Sequence, residues 1–122
     1  MISAHRFDGA KLTQVDVRNG DWVQWMDSPI NDADCVAGFG EFRKGVSTGS
    51  FVLWYDEVQY ALSGKARLVY RLPPTYDKEY QLEVRDGDMY LLRTGAQVRF
   101  EVEEENPYQV LYVAMPRPKS IV

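Results

Sequence analysis

The chain has 122 residues, of which 45% are hydrophobic and 26% are charged, and its formal net charge is −4. This is enough chain for one domain that buries its own core, with the composition of an ordinary globular protein. The mild acidity and the scattered basic residues argue against a surface for nucleic acid or anionic membranes, both of which need clustered Lys and Arg. The first residues contain no basic segment followed by an apolar run, and no apolar stretch approaches membrane-spanning length. We therefore expect a cytoplasmic location.

The first third of the chain predicts short strands joined by turns. Residues 1–20 alternate between apolar and polar positions in places, which predicts one or two N-terminal edge strands. A short strand segment is expected over 21–25, then a loop over 27–34, then a further strand over 35–43.

The most apolar stretch is residues 51–64, which predicts a hairpin of two strands with a bend at Tyr55-Asp56 and a turn at Gly64. One acid, Glu57, lies inside this stretch. A carboxylate in a half-buried strand loses hydration, so it must be paired, hydrogen-bonded or neutralised. Glu57 is therefore the first candidate for a functional group.

The rest of the chain continues as short strands. Strands are expected over 66–72, 80–84, 89–92, 97–102 and 108–115, with a protruding loop over 73–79 and a Pro-rich tail over 116–122. No segment of ten or more residues has a helical period. Eight to ten short strands with regularly spaced turns predict an all-β sandwich or barrel.

The spacing of residues in two segments indicates which kind of all-β protein this is. Gly45, Phe51, Leu53, Glu57 and Gly64 match the first cupin motif, over 45–64, where the family has Gly, His, His, Glu and Gly. Gly87, Arg93, Gly95, Val98 and Val102 match the second motif, over 87–102. The chain thus resembles the cupins, and it is similar to the ethanolamine-utilization Q-type (EutQ-like) cupins over 6–8, 37–39, 53–58, 62–64, 87–88 and 110–116. The resemblance implies a single-domain double-stranded β-helix, or jelly-roll barrel, over 1–122, and a homodimer.

The same resemblance locates the positions of the family's metal ligands. In metal-binding cupins these are two histidines and a glutamate of the first motif and a histidine of the second. Here the four places hold Phe51, Leu53, Glu57 and Val98. Hydrocarbon side chains cannot donate an electron pair, so we predict no metal and no other cofactor.

The motif positions imply a pocket inside the barrel. Phe51, Leu53 and Val98 would point inward, with Glu57 and Gln59 on the same side, since alternate residues of a strand share a face. A carboxyl group against hydrocarbon is poorly solvated when charged, which raises its pKa and makes it a usable acid or base near neutral pH. The alternative is that Glu57 is paired with an arginine or with backbone amides.

Four further residues are candidates for the same pocket. Tyr55 could donate a proton or a hydrogen bond at the rim, although a strand tyrosine is often a core residue. Glu41 could point inward, or it could lie on the outer face paired with Arg43 or Lys44. Trp25 and Tyr112 could wall the pocket mouth, or be plain core.

These residues favour a metal-independent enzyme. The expected chemistry is dehydration, elimination or isomerisation of a small organic molecule, with Glu57 as acid or base and Tyr55 assisting. Two alternatives remain: a non-catalytic protein that binds a small ligand in the barrel, or an accessory protein of a metabolic pathway or compartment. The sequence leaves open the substrate, and whether Glu41 and Glu57 share one cavity.

Overall fold

A computed structural model describes residues 2–17 and 21–116. These residues form a short 3₁₀ turn over Gly9–Lys11 and ten strands: β1 (Thr13–Val17), β2 (Trp22–Asn31), β3 (Val36–Phe42), β4 (Phe51–Val52), β5 (Asp56–Ser63), β6 (Lys65–Arg71), β7 (Glu79–Arg85), β8 (Met89–Leu92), β9 (Gln97–Glu101) and β10 (Tyr108–Met115). The predicted all-β class is confirmed. Parts of the N-terminal edge region and of the tail (residues 1, 18–20 and 117–122) lie outside the described residues.

The strands form two antiparallel sheets that face each other. One has six strands in the order β1-β2-β3-β10-β5-β8, and the other has four in the order β4-β9-β6-β7. Aromatic residues from both sheets pack between them: Phe42 and Phe100 stack with their ring centroids 4.6 Å apart, and Trp22 meets Phe100 edge-on at 6.1 Å. The core is thus the space between two inward faces, which is the architecture of a jelly-roll barrel.

The glycines of the two sequence motifs are required for the same structural reason. Gly45, Gly64, Gly87 and Gly95 all have positive φ, a backbone region that residues with a Cβ rarely adopt. At Gly64 a Cβ would also lie 2.3 Å from the carbonyl oxygen of Pro107. Since Gly64 joins β5 of one sheet to β6 of the other, a larger residue would obstruct that corner.

The stretch over 51–64 is not the hairpin that its sequence predicts. β4 is only two residues long and pairs with β9 in the four-stranded sheet, whereas β5 pairs with β10 and β8 in the six-stranded sheet. After β4, the Leu53 amide donates to the Ala96 carbonyl (2.9 Å) and the Gly95 amide donates to the Leu53 carbonyl (2.7 Å). These bonds hold a corner at which the chain changes sheets.

The loop predicted over 27–34 is also mostly strand. β2 continues to Asn31, and its pairing with β3 shifts register between Asp27 and Ile30. Pro29 lies in that irregular stretch, and because proline has no N–H to donate, it is tolerated where a ladder is interrupted. The turn residues in the sequence therefore mark an irregularity within a strand and not a loop.

Within the part of the chain that the structure describes, no helix is long and apolar enough to cross a membrane.

Candidate functional site

A cavity lies between the two sheets and is lined by side chains from both. Seven of the residues singled out in the sequence line it: Phe51, Leu53, Tyr55, Glu57, Gln59, Val98 and Tyr112. The space that can hold the centre of a water-sized sphere is about 50 Å³. One water needs roughly 10–15 Å³ by that measure, so the cavity has room for a few waters or one small organic molecule.

Strand alternation places the polar groups of β5 in this cavity. Glu57 and Gln59 point inward, whereas Tyr60 and Leu62 lie on the outer face and are exposed. Across the sheet, Gln59 is opposite Tyr112 of β10 on one side and Tyr90 of β8 on the other. Glu57 itself pairs with Ala114 and Leu92 across the sheet, and its polar partner is the Gln59 amide, in a lining that is otherwise mostly hydrocarbon.

Glu57 has an unusual electrostatic environment. Burial raises its pKa from 4.5 to about 7, and a hydrogen bond from the Gln59 side-chain amide offsets part of that rise. The residue as a whole is half-buried, and its carboxyl group is closely surrounded by protein atoms. A carboxyl group with this pKa exchanges its proton near neutral pH.

A chain of hydrogen bonds orients the Gln59 amide. Gln59 donates from Nε2 to the Oε2 atom of Glu57 and accepts at Oε1 from the Tyr90 hydroxyl at 2.6 Å. The Tyr90 hydroxyl also bonds the hydroxyl of Tyr108, which is fully buried, at 2.7 Å. Because Tyr90 occupies the amide oxygen, the amide NH₂ group is turned toward Glu57.

Two tyrosines complete the polar end of the cavity. Burial raises the pKa of Tyr55, and the nearby Glu57 carboxylate and Tyr112 raise it further, so its phenol stays neutral. Burial similarly raises the pKa of Tyr112 to about 12, and its hydroxyl is hydrogen-bonded to Ser28. The Tyr55 hydroxyl makes no hydrogen bond to the described residues, so it is the free donor beside Glu57.

Glu41 and Trp25 do not line the cavity, which corrects their place among the pocket residues; for Glu41 the structure agrees with the alternative of an outer position paired with Arg43. They are cross-strand neighbours on the outer face of the six-stranded sheet, because Phe42 and Trp22 of the same strands point inward. Glu41 accepts from Arg43 Nε at 2.6 Å and from Gln109 Nε2 at 2.8 Å, and the Arg43 guanidinium lies 3.6 Å from the centre of the Trp25 ring. Glu41 and Glu57 therefore do not share a cavity.

Sequence reasoning missed two polar residues of this region. Gln24 lines the cavity and accepts from the Trp22 indole N–H at 2.5 Å. It is two residues from Trp22, so strand alternation could have placed it on the inward face. Tyr90 could not have been found in this way, because its role depends on the pairing of β5 with β8.

Comparison with known proteins bears on the fold. The structure is similar to the EutQ protein of Clostridium difficile (17% identity over 93% of this chain and 82% of that one, TM-score 0.65). It is also similar to an RmlC-like cupin with a double-stranded β-helix fold from Methanocaldococcus jannaschii (11% identity, 98% and 94%, TM-score 0.70). The chain has the cupin fold. A third similar structure is a predicted oxalate decarboxylase from Thermotoga maritima (14% identity, 87% and 92%, TM-score 0.68). No protein-family model matches the chain, and no curated protein resembles it significantly in sequence.

The residues of this chain do not fit the metal centre of metal-binding cupins. Phe51 and Val98 are directly paired across β4 and β9, and both line the cavity with Leu53 and Glu57. Glu57 is then the only one of the four ligand positions with an electron pair to donate. No group of three or more His, Cys, Asp or Glu side chains is close enough to hold a metal ion among the described residues.

Proposed function

We propose that this chain is a small-molecule cupin that carries out acid–base chemistry without a metal. The observation that supports this proposal is the position of Glu57, which lies in a mostly apolar cavity and has a pKa of about 7. Enzymes raise the pKa of a carboxyl group in this way so that it can transfer protons at neutral pH. The cavity has room for a small organic substrate.

Glu57 would act as the base and Tyr55 as the proton donor. The Gln59 N–H bond favours the charged form of Glu57, and the raised pKa of Tyr55 keeps its phenol protonated. In a dehydration, a C–H bond of the substrate breaks as its proton passes to Glu57. The C–O bond to the leaving hydroxyl breaks as that oxygen takes a proton from Tyr55 and departs as water. An isomerisation would use the same two groups without loss of water.

A non-catalytic role is the second candidate, and the small size and largely hydrocarbon lining of the cavity favour it. Such a protein would bind its ligand saturably and form no product. The role of an accessory protein in a metabolic pathway or compartment is supported only by the similarity to EutQ.

The first test is of metal independence. We expect the purified protein to contain no stoichiometric metal by elemental analysis and to show no thermal shift with Mn, Fe, Ni or Zn. Exchange of carbon-bound hydrogen with solvent, followed by NMR in D₂O for small hydroxy-carbonyl compounds, should continue in the presence of EDTA. One tightly held metal per chain, or exchange abolished by the chelator, would overturn the metal-free mechanism.

We also propose that the chain forms a homodimer through the outer face of β5, β8 and β10. Seven apolar side chains lie at outward positions there: Val58, Tyr60, Leu62, Met89, Leu91, Leu111 and Val113. Met89 is 70% exposed and Leu91 46% exposed, so this face is uncovered in a single chain. A second copy can cover it by twofold symmetry, because an isologous interface joins one surface patch to itself.

Leu91→Glu should therefore convert the dimer to a monomer. A carboxylate buried without a partner in the apolar interface would cost more free energy than the leucine contact contributes. The readout is molar mass by light scattering after gel filtration. Leu82→Glu is the matched control, because Leu82 is 45% exposed but lies on β7 of the other sheet. A monomeric parent chain, or equal disruption by both variants, would contradict the proposal.

A further inference from the structure

Glu57 differs from the ion-paired carboxylates of the two sheets. Glu41 is paired with Arg43, Glu101 with Arg67 and Arg99, and Glu79 with Arg99, at 2.6–3.2 Å. Glu57 has no cation within ion-pair range in the described chain, and its partner is the neutral amide of Gln59. A charge removed from water without an opposite charge is costly, so this carboxylate either takes up a proton or binds a positively charged ligand.

The walls of the cavity suit a cation better than an anion. Six aromatic residues contribute to the lining: Trp22, Phe42, Phe51, Tyr55, Phe100 and Tyr112. The faces of aromatic rings attract ammonium groups, most strongly where water is excluded. No Lys, Arg or His of the described residues lines the cavity, so a carboxylate or phosphate would have only the negative Glu57 as a charged neighbour.

We propose that the cavity binds a small protonated amine, whose ammonium group pairs with the Glu57 carboxylate while its hydrocarbon part lies against the apolar walls. The ammonium would lie near Tyr55 and Tyr112, which line the cavity with Glu57 and whose pKa values its charge raises. The size of the cavity limits the ligand to a short amine. This inference rests on the cavity being a ligand site, as proposed above, but it does not depend on turnover.

The test compares isobutylamine with isobutanol, which has nearly the same shape but no charge. Binding of each is measured by NMR titration at pH 8, for the parent chain and for Glu57→Gln. We expect the parent chain to bind the amine at least about tenfold more tightly than the alcohol, because an ion pair in a poorly hydrated site is stronger than a neutral contact. In Glu57→Gln, the affinity for the amine should fall to that for the alcohol. Glu41→Gln, which alters a buried acid outside the cavity, should keep the preference.

The pH dependence provides a second readout. The titratable groups that interact with Glu57 are Tyr55, Tyr90 and Tyr112, and all three stay neutral below pH 9 because burial raises their pKa values. The pH dependence of amine binding near pH 7 should therefore follow the protonation of Glu57. Amine affinity should fall by up to about tenfold for each unit below pH 7, until it reaches the affinity for the alcohol, as Glu57 takes up its proton. The affinity for isobutanol should not fall in this way.

Three outcomes would overturn the inference: equal affinity for amine and alcohol in the parent chain, an amine preference that survives Glu57→Gln, or no binding of either compound. The last result would mean that the cavity is not a ligand site for molecules of this size. Tight amine binding without turnover of any amine or hydroxy-carbonyl compound would support the inference and count against the catalytic proposal. Turnover of neutral compounds with no preference for amines would support the catalytic proposal and count against the amine site.

Discussion

Glu57→Gln should lower turnover by at least about 100-fold while leaving the protein folded. Glutamine keeps the shape of the side chain and can accept the hydrogen bond from Gln59, but it cannot take up a proton. General base catalysis by a positioned side chain contributes roughly 10²–10⁴ to the rate, and this is the contribution that the substitution removes. The measurement is kcat/KM for the solvent-exchange reaction, with the fold checked by circular dichroism.

The pH profile of the parent chain separates the base role of Glu57 from an acid role. If Glu57 is the base, kcat/KM should rise with pH, reach half its maximum near pH 7 and then level off. It should not fall again in the neutral range, because the raised pKa of Tyr55 keeps the proton donor protonated. A profile that falls through pH 7 would assign Glu57 the acid role instead.

Glu41→Gln is the control for the loss of turnover. It makes the same chemical change at a buried carboxylate, but Glu41 lies on the outer face of the sheet, bonded to Arg43 and Gln109. Turnover should be essentially unchanged. An active Glu57→Gln variant would refute the proposed mechanism, and equal loss in both variants would indicate general disruption of the fold.

The position of Glu57 was predictable because the glycine spacing of the two motifs records backbone geometry. Gly45, Gly64, Gly87 and Gly95 adopt positive φ at turns, so their order records where the chain turns between strands. The motif positions and alternation along each strand together indicate which side chains face inward. The spacing thus carries information about the fold even though the ligand histidines are missing.

Alternation also explains the misplacement of Trp25. Trp22 and Trp25 are three residues apart on one strand, and positions separated by an odd number point to opposite faces. Since Trp22 is a core residue, Trp25 had to be on the outer face with Glu41. Tyr90 is different: it reaches Gln59 only through the pairing of β5 with β8, and a residue pattern within one strand contains no information on such pairing.

The same substitution that removes activity should stabilise the fold at neutral and alkaline pH. The pKa of Glu57 rises from 4.5 in the unfolded chain to about 7 in the folded one. Between these values the folded state binds more protons, so the free energy of unfolding falls as pH rises. The full penalty, about 3 kcal/mol, is present above pH 7 and absent below pH 4.5. In urea titrations, Glu57→Gln should therefore be clearly more stable than the parent chain at pH 8 and about equally stable at pH 4.

Asp56, the residue before Glu57, provides a control, because neutralising its carboxylate should change the free energy of unfolding in the opposite direction. It accepts hydrogen bonds from the Thr94 amide (2.8 Å) and the Thr94 hydroxyl (3.0 Å), and these lower its pKa. A carboxylate with a lowered pKa stabilises the folded state above its unfolded pKa, so Asp56→Asn should destabilise the protein at pH 8, and this loss should shrink as the pH falls through the folded-state pKa of Asp56. If Glu57→Gln were also destabilising at pH 8, the Glu57 carboxylate would be well compensated in the folded state. The argument for a carboxyl group poised near neutral pH would then fail, because its basis is the cost of burying that charge.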